Sequence, residues 1–170
     1  EKDRYLDDEE ARRVSGLDKD EFETLLETAR RVNGIVTEHA DEVGLSHQDG
    51  KIECLYHEGE IKVADVVGTF DENRFLRDGV QISKEFLRQF YKTYDPDWVD
   101  AVGDAKKKAD ERGVADWRGL CDVKPKPLPE DVKVMASDLY RAGSNVYTER
   151  ELFDAPELDE VVERIETRAD

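Results

Sequence analysis

The sequence has little of several residue types, and each shortage excludes a class of protein. Only two cysteines occur in 170 residues, and Cys54 and Cys121 lack the CxxC spacing of a zinc or redox site. No apolar run approaches the length of a membrane span. Basic residues are outnumbered by acidic ones, with 26 Lys and Arg against 43 Asp and Glu, which gives a net charge of −17. A chain with this balance cannot neutralise a run of phosphates, so we exclude a general nucleic-acid-binding function.

Methionine is nearly absent as well, and Met135 is its one occurrence. The sequence as given therefore has no start methionine, and we expect it to be the downstream part of a longer protein. No signal peptide precedes the first helical pattern, so we also expect a reducing, cytoplasmic setting. The charge is spread along amphipathic segments, which argues against disorder. A dispersed acidic surface is typical of a halophilic protein that stays soluble at high salt. An acidic interaction domain is the alternative.

Hydrophobic residues at helical spacing predict that most of the chain is helical. We expect helices over 7–14, from Asp18 or Asp20 to Gly44, from Ser83, from Asp95 to Gly113, from Pro129 to Gly143 and over 156–168, with one hairpin over 51–66 and an irregular segment over 68–79. This outline predicts an α+β fold. The stiff segment 124–127, which reads Lys-Pro-Lys-Pro, predicts an α+β domain over 1–123 and a helical segment over 124–170 packed on it.

The predicted hairpin decides which charged side chains share a face. Its loop 57–59 has glycine last, which matches a favoured three-residue closure. That loop pairs Lys51 with Asp65. Because strand residues alternate faces, Asp49, Lys51 and Glu53 would then lie on the same side as Asp65. A two-residue loop would shift the register by one residue and send Asp65 to the opposite side.

Three acids and one lysine on a single face are unfavourable without a further cation. Two carboxylates about 4 Å apart repel each other by roughly 4 kcal/mol at an effective dielectric constant near 20. Oxygen ligands without cysteine or histidine favour Mg²⁺ over zinc. The alternative, equally favoured on spacing alone, is a solvated outer strand of an acid-rich protein.

A charged motif, a turn and two helical segments carry a resemblance to a known family. They are Asp49-x-Lys51-x-Glu53, Asp65, Asp71-x-x-Arg74, Ser83-Lys84-Glu85 with Arg88, Leu128-Pro129-Glu130 and Leu139-Tyr140. Together they resemble the C-terminal part of SAICAR synthetase, the phosphoribosylaminoimidazole-succinocarboxamide synthase of purine biosynthesis. The resemblance implies an α+β fold related to ATP-grasp. It also implies that the family's glycine-rich N-terminal sheet, which covers ATP, lies outside this chain.

The function that the resemblance implies is an ATP-dependent carbon–nitrogen ligase. Such an enzyme converts ATP, L-aspartate and carboxyaminoimidazole ribotide into ADP, phosphate and the succinocarboxamide product, SAICAR. The implied cofactors are ATP and Mg²⁺, and the implied partner is the N-terminal part of the same enzyme, without which we expect little activity. A homo-oligomer is left open. The alternatives are a non-catalytic acidic domain that binds divalent cations or protein, and a different ATP-using enzyme such as a kinase.

The resemblance gives nucleotide-binding roles to three residues of the hairpin segment. Carried over by position, Lys51 would contact the phosphates of ATP. Glu53 and Asp65 would hold Mg²⁺ on the nucleotide. With Asp71, these three are the residues that we expect to serve the reaction itself.

A second group of residues would bind the imidazole substrate. Asp71 would orient it, and Arg74 would bind its phosphate or carboxylate, because a planar guanidinium meets such groups through two parallel hydrogen bonds. Asn73 would add a hydrogen bond. Lys84 and Arg88, one turn apart on a helix, would extend the same anion pocket; their alternative is a surface basic pair.

The turn that carries these residues departs from the family pattern. The usual Pro-Asp-Ser-Ser-Arg is Phe70-Asp71-Glu72-Asn73-Arg74 in this chain. Asn73 can replace a serine as a donor, but Glu72 would repel an anionic substrate if it pointed inward. We therefore expect Glu72 to face solvent or a cation.

Overall fold

The protein is an α+β fold, seen here in a computed structural model that describes residues 6–65 and 67–169. Its elements in chain order are α1 (Asp8–Ser15), α2 (Lys19–Glu42), β1 (Ser46–Gly50), β2 (Cys54–His57), β3 (Glu60–Val63), β4 (Asn73–Arg77), β5 (Val80–Gln81), α3 (Glu85–Tyr94), α4 (Pro96–Arg112), a 3-10 turn (Trp117–Leu120), α5 (Glu130–Thr148) and α6 (Leu158–Ala169). The fold class predicted from the sequence is confirmed. None of the described helices is long and apolar enough to cross a bilayer.

Local capping signals set the ends of the helices. The Asp18 carboxylate accepts a hydrogen bond from the Glu21 amide at 2.9 Å, and the Glu21 carboxylate accepts one from the Asp18 amide at 2.8 Å. This capping box starts α2 at the first of the two predicted caps. Pro96 opens α4, and Gly113 follows it in the left-handed conformation, as predicted.

Five strands form two separate antiparallel sheets in the described part of the chain. The order β1–β4–β5 makes a three-stranded sheet, and β2–β3 makes a two-stranded one. In the first sheet His47 lies opposite Phe75, and Asp49 lies opposite Arg74. The prediction of an irregular segment over 68–79 was wrong for β4. This strand is short and closely flanked by turns. Only Asn73 and Phe75 alternate toward the core, which is too short a pattern to indicate a strand.

The hairpin β2–β3 is closed by two residues, so the predicted three-residue loop was wrong. His57 pairs with Glu60 across a turn made of Glu58 and Gly59. Both turn residues have positive φ, 53° and 81°, as a type I′ turn requires. The right-handed strand twist favours this turn, and Glu58 adopts the left-handed backbone that most residues avoid. Every pairing in the hairpin is therefore shifted by one residue from the predicted register.

The hydrophobic core lies where α2, α5 and α6 pack against the three-stranded sheet. Its most deeply buried large side chains are Phe75, Leu45, Ile82, Leu139, Val132 and Val161. Phe70 enters this core against Gly143, where an added Cβ would lie 2.5 Å from the Phe70 ring. Gly143 therefore packs inside α5 instead of ending it. The core takes side chains from both sides of residue 123, and the domain boundary there stays a prediction.

Candidate functional site

A tight turn before β4 carries Asp71 at the protein surface. The amides of Glu72 and Asn73 both donate to the Thr69 carbonyl, at 3.2 and 2.9 Å. Phe70 is buried in the core, whereas the next residue, Asp71, is exposed. The turn is thus anchored by one side chain and offers the adjacent carboxylate to solvent.

The start of α3 brings the cation Lys84 to the same turn. The Lys84 amide donates to the Phe70 carbonyl at 3.2 Å, and Lys84 Nζ lies 3.5 Å from Glu72 Oε1. The expectation that Glu72 would face solvent or a cation is confirmed. One turn further along, Arg88 Nη1 lies 3.3 Å from Glu85 Oε2. Each predicted anion-binding cation therefore has a carboxylate beside it.

Arg74 makes a forked ion pair with Asp49, its neighbour across the sheet. Arg74 Nε donates to Asp49 Oδ1 at 2.6 Å, and Arg74 Nη2 donates to Asp49 Oδ2. The hydrogen bond from Arg74 is the main reason that the pKa of Asp49 lies below its ordinary value. Both side chains are about half exposed. The guanidinium is therefore oriented at the surface, and an incoming anion would have to share it with Asp49.

Asn73 lies inside the protein, in a hydrogen-bonded network. His47 Nε2 donates to Asn73 Oδ1 at 3.0 Å, because an amide oxygen can only accept, and the Thr37 hydroxyl lies 2.8 Å from His47 Nδ1. Asn73 Nδ2 donates to the Thr69 carbonyl at 3.4 Å. A Cβ on Gly50 would collide with the Asn73 amide, so β1 needs glycine there. The structure thus gives Asn73 a packing role between β1 and β4.

The chain passes from one sheet to the other between Lys51 and Glu53. The Lys51 amide still donates to the Glu72 carbonyl of the turn, at 2.9 Å. Two residues later, the Glu53 carbonyl already accepts from the Ala64 amide of the hairpin, also at 2.9 Å. The two side chains pair with each other, with Lys51 Nζ 2.9 Å from Glu53 Oε1. The predicted single charged strand is therefore a crossover between sheets.

The predicted magnesium pair does not form in this arrangement. Continuing the observed register by one residue places Asp65 opposite Ile52, on the side of the hairpin away from Glu53. Within residues 6–65 and 67–169, no three His, Cys, Asp or Glu side chains are grouped as they would be to hold a metal. The prediction that Asp49, Lys51, Glu53 and Asp65 share one face was wrong, because it depended on the three-residue loop. As arranged here, Glu53 and Asp65 do not fit a shared magnesium ion.

Sequence reasoning gave no role to Tyr140, which contacts the site from α5. Its hydroxyl donates to Asp71 Oδ1 at 2.9 Å. Burial, and then the hydrogen bond and charge of Asp71, raise the pKa of Tyr140 well above its ordinary value. The phenol is therefore a permanent donor at neutral pH. No local pattern could have paired two residues that lie 69 positions apart.

Comparison with known proteins shows the family of this chain. The model of the SAICAR synthetase family matches residues 1–105. A putative phosphoribosylaminoimidazole-succinocarboxamide synthase of Archaeoglobus fulgidus is 43% identical over 96% of this chain and 47% of its own length. The chain belongs to the SAICAR synthetase family. Synthases of the same name from Thermoplasma acidophilum and Thermoplasma volcanium are 33% and 30% identical, over 82% and 83% of the chain.

Membership confirms the resemblance that the sequence motifs indicated, at the level of a ligase family of purine biosynthesis. The chain spans about half the length of the curated relatives it matches, 46% to 47% of each. The family match covers the crossover, both sheets, the turn and α3. Tyr140 lies beyond it, whereas the alignment with the A. fulgidus relative covers 96% of the chain.

Proposed function

We propose that this chain is the C-terminal part of an ATP-dependent ligase that joins L-aspartate to carboxyaminoimidazole ribotide. The observation that carries the proposal is the turn of a SAICAR synthetase family member, where Asp71 and Arg74 flank Glu72 and Lys84 is bonded to the same turn. A carboxylate and cations within one turn and the start of the next helix suit a substrate with both N–H donors and anionic groups. The products are SAICAR, ADP and phosphate.

The proposed chemistry activates a carboxylate that is otherwise unreactive toward an amine. The ribotide carboxylate attacks the terminal phosphorus of ATP, and ADP leaves. The amine of aspartate then attacks the acyl carbon, and phosphate departs with the former carboxylate oxygen while the amine loses a proton. Phosphoryl transfer of this kind depends on positioning and on neutralised charge, so it needs no covalent protein nucleophile.

On the substrate side, four residues would act on the ligand and a fifth would support them. Arg74 binds the phosphate or carboxylate of the ribotide with the fork that Asp49 keeps oriented. Lys84 and Arg88 add positive charge along α3 and extend that anion pocket. Asp71 accepts a hydrogen bond from the imidazole substrate and so fixes its orientation. Asn73, which is buried, supports the turn from below.

On the nucleotide side, the support is family resemblance. We propose that Lys51 contacts the phosphates of ATP and that Glu53 and Asp65 act on the nucleotide side as separate carboxylates. These carboxylates are not arranged as a metal site here, so no step of the proposed reaction is routed through a metal ion. Lys51 is nonetheless well situated, because its amide is bonded to the substrate turn at Glu72.

The test uses the full-length protein that contains this chain, with Mg-ATP, L-aspartate and the ribotide. We expect SAICAR formation that Glu53→Gln and Asp65→Asn abolish. Glu60→Gln is the matched control, because Glu60 is an exposed hairpin carboxylate paired with Lys62 at 3.2 Å. It should leave the rate within about twofold, as for other exposed surface changes.

The outcomes separate the proposal from its alternatives. Wild-type rates in both Glu53→Gln and Asp65→Asn would reject the nucleotide-side roles. A wild-type protein that binds Mg²⁺ without any effect of nucleotide or ribotide would instead indicate a non-catalytic cation-binding or protein-binding domain. Turnover of ATP without use of the ribotide would indicate another ATP-using enzyme.

A further inference from the structure

The hydrogen bond between Tyr140 and Asp71 joins α5 to the substrate turn. From this contact we infer that Tyr140 is a positioning residue, which holds the Asp71 carboxylate in the orientation that binds the imidazole substrate. The inference rests on the proposed function of Asp71. It assigns a part in substrate recognition to the C-terminal helix, which lies outside the family match over residues 1–105.

The ring of Tyr140 packs against Phe70, the same side chain that anchors the turn in the core. It meets Phe70 edge-on, with ring centroids 6.0 Å apart and planes at 85°. Phe70 is the residue before Asp71, and it docks against Gly143, which is one helical turn after Tyr140 on α5. The Tyr140 hydroxyl and the Asp71 carboxylate are therefore both held close to the point where Phe70 packs on Gly143. A hydrogen bond between two groups so closely anchored loses little conformational freedom when it forms.

The bond also controls what Asp71 can accept. The 2.9 Å contact occupies Oδ1, and Oδ2 has no hydrogen-bond partner among residues 6–65 and 67–169. Because the phenol stays protonated, Tyr140 can orient Asp71 but cannot take a proton from the substrate. Oδ2 is then the oxygen that remains for an N–H of the ligand. The positive charge of Arg88 also acts on Tyr140 and opposes the effect of Asp71 on the pKa of that hydroxyl.

The chain offers a matched control for this role in Tyr147. It lies on the same helix and packs against the same Phe70 ring at 6.0 Å, with planes at 64°. Burial alone raises its pKa. Within the described part of the chain, its hydroxyl has no hydrogen-bond partner. Tyr140→Phe and Tyr147→Phe therefore remove the same atom from similar surroundings, but only the first removes a contact to Asp71.

The experiment measures kcat, KM for each substrate and the urea midpoint in full-length Tyr140→Phe, Tyr147→Phe, Asp71→Asn and the double variant Tyr140→Phe/Asp71→Asn. Tyr140→Phe should raise KM for the ribotide by about tenfold, as expected for a lost hydrogen bond to a charged group. Its KM for ATP and its urea midpoint should stay near the wild-type values. Tyr147→Phe should change every KM by less than about twofold, as for other isolated hydroxyl losses. In the double variant, Tyr140→Phe should add less than about twofold to the effect of Asp71→Asn, because the two residues act as one unit.

Each remaining outcome is decisive. If Asp71→Asn raises KM for the ribotide but Tyr140→Phe does not, the positioning role is wrong and the proposed function stands. If both tyrosine variants lower the urea midpoint and raise every KM alike, Tyr140 is a packing residue and the inference is overturned. If the wild-type protein forms no SAICAR, or if Asp71→Asn leaves KM for the ribotide unchanged, the proposed role of Asp71 fails and the inference fails with it.

Discussion

The body of the protein and its hairpin differ sharply in how far their side chains are buried. The body, defined as α2, β1, β4, β5, α5 and α6, surrounds a continuous core in which Phe75 is fully buried. The hairpin, β2 and β3, has no fully buried residue, and Leu55 is 51% exposed. A two-stranded sheet without such cover is marginal in water. Side chains attached to the body are therefore fixed by packing, whereas those of the hairpin are fixed mainly by their own turn.

The candidate site is divided in the same way. Arg74 belongs to the body and Asp71 to the turn directly before β4, and each is held by a side chain of the body, Asp49 and Tyr140 respectively. Glu53 and Asp65 lie at the base of the hairpin, on opposite sides by register. The substrate half of the proposed site is thus held by the body, whereas the nucleotide half is not.

The largest expected effect contrasts one apolar side chain from each region. Phe75→Ala should cost about 3–5 kcal/mol in the free energy of unfolding, because it opens a cavity in the core. Leu55→Ala should change that free energy by less than about 0.5 kcal/mol, as for other exposed positions. Urea denaturation measures both. A loss at Leu55 as large as that at Phe75 would show that the hairpin is part of the same cooperative core.

A smaller loss is expected from the buried ion pair that joins α5 to α6. The Asp138 side chain is 6% exposed and accepts hydrogen bonds from Arg141 at 2.5 Å and Arg164 at 2.7 Å. Asp138→Ala should cost about 2–3 kcal/mol, toward the low end for buried pairs because both guanidinium groups reach solvent. Asp131→Ala is the control, because its pair with Arg168 is exposed to solvent and should contribute much less than the Asp138 pair. Equal losses in the two variants would contradict a special role for Asp138.

The same aspartate should make the body sensitive to acid. Burial by itself raises the pKa of Asp138, but hydrogen bonds from Arg164 and Arg141 together outweigh it, so the pKa lies below the ordinary value. A group with a lowered pKa in the folded state stabilises above its unfolded pKa, near about 3.9, and loses that contribution as pH falls through the folded pKa. The difference in unfolding free energy between wild type and Asp138→Ala should therefore shrink below about pH 4. A difference that stays constant to pH 2 would contradict this assignment.

The smallest effect is expected in the hairpin turn. Glu58 has a φ of 53°, which costs energy for glutamate and little for asparagine. Glu58→Asn should slow amide exchange in β2 and β3 by a factor equivalent to about 0.5 kcal/mol, and it should leave the body unchanged. Glu60→Asn, one strand position beyond the turn, should not slow it. Slower exchange in the body as well would mean that the two regions unfold together.

The sequence was sufficient wherever the signal was local. Asp18 as one of two possible caps, Pro96 at a helix start and Gly113 after a helix end each act within one turn, and each was predicted. The motif from Asp71 to Arg74 was part of the resemblance to the family, and the family model matches the stretch that contains it.

What the sequence could not predict depended on contacts between distant segments or on a small energy difference. The hairpin register depended on whether Glu58 would accept a positive φ, a choice worth about 1 kcal/mol that glycine at the next position did not settle. The contact of Tyr140 with Asp71 follows from the packing of α5 on Phe70, which no pattern within either segment encodes. The buried state of Asn73 likewise depends on His47 from the neighbouring strand.

The most direct test of the account is a calorimetric titration of carboxyaminoimidazole ribotide into the full-length protein and two of its variants. If the body alone builds the substrate half, Arg74→Ala should weaken ribotide binding by at least about tenfold, because it removes a charged, forked contact. Glu53→Gln, in the hairpin segment, should leave the Kd within about twofold. Ribotide binding that survives Arg74→Ala unchanged, or that Glu53→Gln weakens equally, would contradict the claim that this turn holds the imidazole substrate.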